Sequence, residues 1–375
     1  MTTSTTNPAP TTSRPPTSAG EQARHRDTTA DRRLRAPWRI LIALVASMGV
    51  VVLSDLSLAF GLANTPTGHV VATLGRVVAV CGVLAVTARW LDRRRLRDYG
   101  LVGGRRWWAD LAFGAAAGLG MFALSSGVGI AAGWIEIRDT LSPAATGSLW
   151  LILVVATLRL ASVSLWEEVL FRGVLIRNTA EAFGQRWPRT RAVLLATAIS
   201  TAVFALIHVP QHIGAEGMSL ARMATMWVTL GGLLAVPYLV TGQLAVSIGL
   251  HLTINLALQH VFVLWERQAE QAAAVLHLDA SGAGLLAGPG GVLQLAAIAL
   301  GYLAVLAWLR WRYGALRIHP SLTELPPAAQ APSPPAGSDP AGTDAGPSDT
   351  GTSAVVRAGC TPHTGPRPWQ GTEGP

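Results

Sequence analysis

Two adjacent glutamates and an arginine lie inside an apolar stretch near the middle of the chain. Glu167, Glu168 and Arg172 form the pattern EExxxR. On a helix, Glu168 and Arg172 are four residues apart with the acid first, so they can form an intrahelical ion pair. Glu167 points about 100° away and lacks that partner. Such a carboxylate can act as a general base that activates water, although the pattern also fits a salt bridge at a helix end.

Two further pairs of residues repeat this four-residue spacing. Phe204 and His208 can place an aromatic ring over an imidazole on one helix face. His251 and Asn255 lie in a later apolar run, where Asn255 can orient the imidazole or donate a hydrogen bond to an oxyanion. Taken singly, each pair is also compatible with side-chain packing or an interhelical hydrogen bond.

The composition of the chain favours a membrane protein. Of its 375 residues 50% are hydrophobic and only 13% are charged, which differs from the usual composition of soluble domains. A helix needs about 20 apolar residues to cross a hydrocarbon core of about 30 Å. Runs of this length predict an all-α, polytopic transmembrane bundle of about eight helices. The predicted spans are 39–62, 68–91, 109–134, 148–180, 190–208, 219–240, 244–265 and 290–311.

Polar tails flank the predicted bundle of residues 37–315. Residues 1–36 and 316–375 have too little apolar surface to offset chain entropy, so we expect disordered tails. Arginines concentrate beside alternate ends of the spans, which predicts a cell-membrane protein with both termini in the cytoplasm. This pattern also accounts for the net charge of +8, and no nucleic-acid partner is expected, because no basic and aromatic binding module is visible.

The three polar patterns are costly in lipid unless they converge. A charged residue at the centre of a transmembrane helix costs about 2.5 to 3.5 kcal/mol on insertion scales. The order and placement of EExxxR, FxxxH and HxxxN on predicted helices four, five and seven resemble the CAAX protease and bacteriocin-processing family. This family is also called the CPBP or Abi family of intramembrane glutamic proteases. The resemblance covers about residues 68–265.

The resemblance implies an intramembrane endopeptidase without an organic cofactor or a metal. By the same resemblance, Glu167 and His208 activate the attacking water, while His251 and Asn255 form the oxyanion hole. The remaining motif residues, Glu168, Arg172 and Phe204, would support the site. The expected substrate is a membrane peptide or protein in the lipid bilayer. It can be lipidated, as in a prenylated C-terminal motif, or it can be a bacteriocin leader peptide, and the sequence selects neither.

Three alternatives stay open at this point. Glu167, His208 and His251 could form a zinc site with His212 nearby, although the chain has no HExxH motif and Pro210 disturbs the helix. A membrane scaffold or bacteriocin-immunity-type protein would keep the polar cluster for folding or partner binding. A small-solute transporter would favour broken helices and an inverted repeat, and no convincing repeat is visible.

The predicted spans place Glu167 and His208 toward opposite sides of the membrane. The two can meet only if helix four is long, with its embedded part beginning near residue 158, or if a boundary is wrong by about two turns. We favour a long helix, because the apolar pattern continues through residues 174–176. Other polar residues of the spans are interpreted as interhelical contacts or snorkelling side chains; they are Asp55, Arg76, Arg159 and His260. Gly114 and Gly118 predict a close helix–helix contact.

Overall fold

The computed structural model describes residues 34–59, 65–142, 148–209, 219–264 and 273–322. These residues form eight main helices, which confirms the predicted all-α bundle. The predicted disordered tails lie mostly outside the described residues. The helices are α1 Ala36–Ala59, α2 Pro66–Val86, α3 Arg105–Ala131, α4 Leu149–Phe183, α5 Arg189–His208, α6 Leu220–Thr241, α7 Ala245–Leu256 and α8 Val292–Tyr313.

Seven of these helices are long and apolar enough to cross a membrane. Their outward faces carry exposed apolar side chains, such as Val45, Val78 and Leu303, which suit contact with lipid. The remaining helix, α7, is shorter even with its continuation to Val261, and most of its side chains are buried among the other helices. The predicted span 244–265 is therefore too long, because the chain leaves the helix at Phe262 and enters a strand.

The longest helix, α4, is 35 residues long and continuous. At 1.5 Å per residue it extends over about 52 Å, so Glu167 lies near its middle rather than near one membrane surface. This agrees with the long-helix explanation for how Glu167 and His208 can meet. The helix widens into π-helical turns over Val169–Ile176, directly after Glu168. Such local widening is frequent at functional sites.

Helices α3 and α7 approach each other closely through glycines. A Cβ atom at Gly118 would lie 2.7 Å from the carbonyl oxygen of Leu250. A Cβ atom at Gly249 of α7 would lie 2.7 Å from the backbone nitrogen of Ala115, and one at Gly114 would also clash with the backbone of α7. The predicted contact at Gly114 and Gly118 is therefore confirmed, and it fixes α7 in the bundle interior.

A small sheet, which the sequence analysis did not predict, lies beyond the ends of α3 and α7. Its strands are β1 Glu136–Ser142, β2 Phe262–Val263 and β3 Ala274–Asp279, in the order β1-β3-β2. Strands β1 and β3 are antiparallel, with Glu136 opposite Asp279 and Ser142 opposite Ala274, whereas β2 and β3 are parallel. The two-residue β2 is too short to give a strand pattern in the sequence.

The arginine-rich end of the bundle contains a buried network of ion pairs. Arg39 of α1 contacts Asp92, which follows α2, at 3.0 Å and Glu181 of α4 at 3.3 Å. Arg94 also contacts Glu181 at 3.3 Å, and the Tyr99 hydroxyl donates to Asp92 at 2.5 Å. The network ties the first two helices to α4 with matched positive and negative charges.

The chain remains packed against this end after α8. Leu322 is fully buried, and the backbone N–H of His319 donates to the carbonyl oxygen of Leu239 at 2.8 Å. Arg189 of α5 donates to the carbonyl oxygen of His319 at 2.8 Å. The predicted start of the disordered C-terminal tail at residue 316 is therefore too early, because these contacts hold the chain as far as Leu322.

Candidate active site

Helix α4 contributes the charged part of the site. Glu167, Glu168 and Arg172 are 6%, 0% and 1% exposed. The Nη1 atom of Arg172 donates to Oε1 of Glu168 at 2.9 Å, which confirms the predicted intrahelical pair. Its Nη2 atom donates to the carbonyl oxygen of Gly231 on α6 at 3.0 Å, and its guanidinium carbon lies 4.7 Å from the ring centre of Phe204. Arg172 therefore joins α4, α5 and α6.

His251 of α7 lies against both glutamates. Its Nδ1 atom is 2.8 Å from Oε1 of Glu168, and its Nε2 atom is 3.7 Å from Oε2 of Glu167. The first distance is a hydrogen bond, and the second is too long for one but short enough for a bridging water. Oε2 of Glu167 is buried and has no hydrogen-bonding partner among the described residues. This oxygen is therefore available to a reacting group.

His208 reaches the site from the end of α5. Its Nδ1 atom lies 2.7 Å from the carbonyl oxygen of Phe204, so the Nδ1–H donates and Nε2 is left as the acceptor in the neutral ring. The ring centres of Phe204 and His208 are 4.6 Å apart, as their spacing predicts. The Phe204 ring also lies 5.9 Å from that of His251. One buried ring thus contacts both imidazoles.

Helix α6 supplies contacts that the sequence analysis missed. The Trp227 ring stacks on His208 with a centroid distance of 4.2 Å and an interplanar angle of 27°. Trp227 and Gly231 are four residues apart, so they share one face of α6 toward the site. This four-residue spacing is the only sign in the sequence that α6 contributes to the site. A tryptophan and a glycine on one helix face are also common where helices simply pack together, so the spacing does not identify a functional site.

The structure brings the three sequence patterns together. Asn255 is buried one helical turn beyond His251, on the same face of α7. The carboxylates of α4 contact the imidazole of α7, and Phe204 links that imidazole to the imidazole of α5 in the bundle interior. Such a region offers an acid or base, an acceptor for a water proton and donors for an oxyanion.

Among the described residues, no group of three or more His, Cys, Asp or Glu side chains is arranged to hold a metal ion. The sequence suggested His212 as a further zinc ligand beside Glu167, His208 and His251. His212 lies outside the described residues.

The same part of the chain matches a known family. The family model Type II CAAX prenyl endopeptidase Rce1-like matches residues 146–257. Over this segment the chain is similar to the Rce1-like family. The match confirms the resemblance to the CAAX protease family, and it covers α4, α5, α6 and α7, which carries His251 and Asn255. At the level of the family, an Rce1-like segment with seven apolar helices indicates a multi-pass membrane protease.

No curated protein and no solved structure matches the chain.

Proposed function

We propose that this protein is an intramembrane endopeptidase in which Glu167 activates a water molecule to cleave a lipidated, CAAX-type substrate. The observation that carries the proposal is the buried carboxylate oxygen of Glu167, which lies 3.7 Å from His251 and has no hydrogen-bonding partner among the described residues. The match to prenyl endopeptidases supports the choice of substrate class.

In the proposed reaction, a water molecule lies between Glu167 and His208. The carboxylate of Glu167 removes one proton as the water oxygen attacks the carbonyl carbon of the scissile bond. Nε2 of His208 accepts a hydrogen bond from the same water, because its Nδ1–H is engaged by Phe204. The proton on Glu167 then moves to the leaving nitrogen as the C–N bond breaks. The products are a carboxylic acid and an amine, and no covalent enzyme intermediate is formed.

His251 and Asn255 are proposed to stabilise the oxyanion. Because the Nδ1–H of His251 donates to Glu168, donation from Nε2 requires the doubly protonated ring. In that form the two negative charges of Glu167 and Glu168 are balanced by the two positive charges of Arg172 and the His251 imidazolium. The side-chain amide of Asn255 supplies a second donor. Glu168 and Arg172 act by positioning His251.

The test is cleavage of a farnesylated peptide that ends in cysteine, two aliphatic residues and a final residue. We expect Glu167→Gln to lower kcat by about a thousandfold and His208→Ala by about a hundredfold, within the usual range for general acid–base groups. Glu136→Gln is the matched control, since it neutralises an exposed glutamate on β1. Thermal unfolding of each variant would show that the fold is retained.

Two outcomes would change the assignment. Unchanged cleavage by both site variants would remove Glu167 and His208 from the mechanism. Loss of cleavage with a strong chelator, restored by zinc, would favour a zinc-dependent protease, for which Glu167, His208 and His251 supply the ligand types.

A further inference from the structure

A second polar contact joins α4 to the continuation of α7 beyond the candidate active site. The Nη2 atom of Arg159 donates to Oε1 of Gln259 at 3.1 Å, whereas Glu168 meets His251. Arg159 lies nine residues before Glu168 on α4, whereas Gln259 lies eight residues after His251. The two helices are therefore antiparallel. The two contacts are separated by about 12 Å along the helices. Asn255 lies between them on the same face of α7.

A second arginine lies near the outer contact. Arg76 of α2 has a side chain that is 5% exposed, and it contacts Asp55 of α1 at 2.7 Å. The side chain of Asp55 is itself 57% exposed, and Nε of Arg76 is buried with no hydrogen-bonding partner among the described residues. Helix α2, which carries Arg76, packs against α4, which carries Arg159.

The charges of this region are unequal. Arg76 is paired with the carboxylate of Asp55, whereas Arg159 donates to Gln259, which is neutral. Positive charge within the span of a membrane helix is unfavourable unless an anion or a polar channel compensates it. Arginine also binds carboxylates through paired hydrogen bonds. The region therefore suits a bound carboxylate.

We propose that Arg159 and Arg76 form a subsite for the terminal carboxylate of the substrate, three residues beyond the scissile bond. The proposal rests on the proposed function and specifies its substrate. Three extended residues span about 10 Å, which agrees with the distance of about 12 Å between the levels of Glu167 and Arg159. The subsite would select substrates by the position of their free C-terminus, and Gln259 would hold the Arg159 guanidinium in place.

The test compares farnesylated peptides that carry a free C-terminal carboxylate with the same peptides as carboxamides. We expect the wild type to prefer the free acid by about tenfold in KM, and Arg159→Gln or Arg76→Gln to abolish that preference. The readout in either variant is the ratio of acid to carboxamide cleavage, not either rate alone. Arg159→Lys should restore part of the preference, because it keeps the charge without the paired donors.

The matched control is Arg89→Gln, which removes an exposed arginine after α2, 13 residues from Arg76. It should keep the preference for the free acid. Peptides with two or five residues after the cysteine should lose most of the benefit of the free carboxylate. Equal cleavage of acid and carboxamide by the wild type, or an unchanged preference in Arg159→Gln, would overturn the subsite.

Binding separates this proposal from the catalytic one. Fluorescent acid and carboxamide peptides can be bound to Glu167→Gln in vesicles of phosphatidylcholine, with or without phosphatidylglycerol. Tighter binding of the acid, lost in Glu167→Gln/Arg159→Gln, supports the subsite even if the wild type cuts nothing and the proposed function fails. If both peptides bind equally and Arg159→Gln alters only the response to phosphatidylglycerol, the arginines bind lipid phosphate and the proposal is wrong.

Discussion

Arg172 is the single residue that joins most parts of the candidate site. It donates to Glu168 at 2.9 Å and to the Gly231 carbonyl at 3.0 Å, and it lies over the Phe204 ring. Glu168 in turn accepts from His251. A buried ion pair contributes little net stability against an apolar replacement, but removal of one partner leaves a buried charge. His251 is therefore positioned by the Glu168–Arg172 ion pair, in which removal of one partner alone leaves the other charge buried.

We predict that Arg172→Met lowers the free energy of unfolding by about 3 to 5 kcal/mol, because it leaves Glu168 buried without its cation. The double variant Glu168→Gln/Arg172→Met should be less destabilised than Arg172→Met alone. Both should lose most activity, because the Glu168–Arg172 pair positions His251. Chemical denaturation in detergent measures the first effect and peptide cleavage the second. Additive losses in the double variant would show that the two side chains act independently.

The residues of the site differ in how far the sequence could predict them. Pairs at i and i+4 on one helix depend on helix geometry alone, so Glu168 with Arg172 and Phe204 with His208 could be predicted. Contacts between helices could not, because Trp227 on His208 and Gln259 on Arg159 depend on how α4, α5, α6 and α7 pack. Arg159 and Arg76 do make interhelical contacts, as interpreted from the sequence, but their partners Gln259 and Asp55 could not be predicted for the same reason.

Among the helices, the close approach of α3 and α7 positions His251. Gly249 lies two residues before His251, and a Cβ atom there would lie 2.7 Å from the backbone nitrogen of Ala115. We predict that Gly249→Ala lowers stability by about 1 to 3 kcal/mol through overpacking and reduces cleavage. Displacement of α7 would move His251 and Asn255 away from Glu167. Thermal unfolding and cleavage measured on the same sample test both effects.

Gly120→Ala is the control for this prediction. Gly120 is also on α3, but a Cβ atom there would meet nothing within 4 Å. Alanine is favoured over glycine in a helix by about 1 kcal/mol, so this variant should be as stable as the wild type or more so. Equal effects of Gly249→Ala and Gly120→Ala would mean that α3 and α7 do not require the close contact.

Helix existence was easier to predict than helix ends. Long apolar runs predicted all eight helices, and the apolar pattern after Arg172 correctly favoured a long α4. The end of α7 was placed too late because residues 262–265 are as apolar as the helix before them. Phe262 and Val263 instead pair with β3, and a pairing partner distant in sequence cannot be read from local composition.

For the whole molecule, the buried ion network at the arginine-rich end gives a pH dependence of stability. Burial raises the pKa of Tyr99, and the neighbouring Asp92 raises it further. Because the folded-state pKa exceeds that of an unfolded tyrosine, about 10, the neutral phenol stabilises the fold below that pH and the benefit is lost as pH rises. We predict that the unfolding temperature falls more steeply with pH above about 10 in the wild type than in Tyr99→Phe.

Leu322→Ala is the control for the alkaline titration. Leu322 is fully buried and carries no titratable group. This variant should lose a similar amount of stability at every pH, so its curve should run parallel to that of the wild type. Parallel curves for Tyr99→Phe as well would show that another group causes the alkaline loss.

The arrangement of arginines also predicts how the molecule is oriented in the membrane. The start of α5 contacts residue 319 after α8, and Arg312 donates to the backbone carbonyl oxygen of Arg106 in the first turn of α3. These arginine-rich segments therefore share one end of the bundle, and the positive-inside rule predicts that this end lies in the cytoplasm. The sequence has two cysteines, Cys81 and Cys360, and Cys81 lies on an exposed face of α2.

With Cys81→Ser, Cys360 in the C-terminal tail becomes the one labelling site. We predict that a membrane-impermeant maleimide labels it in inverted vesicles and not in intact cells, because the tail follows the arginine-rich end of α8. Glu136→Cys in a chain without the native cysteines should show the reverse, since β1 follows the opposite end of α3. Labelling of Cys360 from outside intact cells would reverse the orientation and place β1 in the cytoplasm.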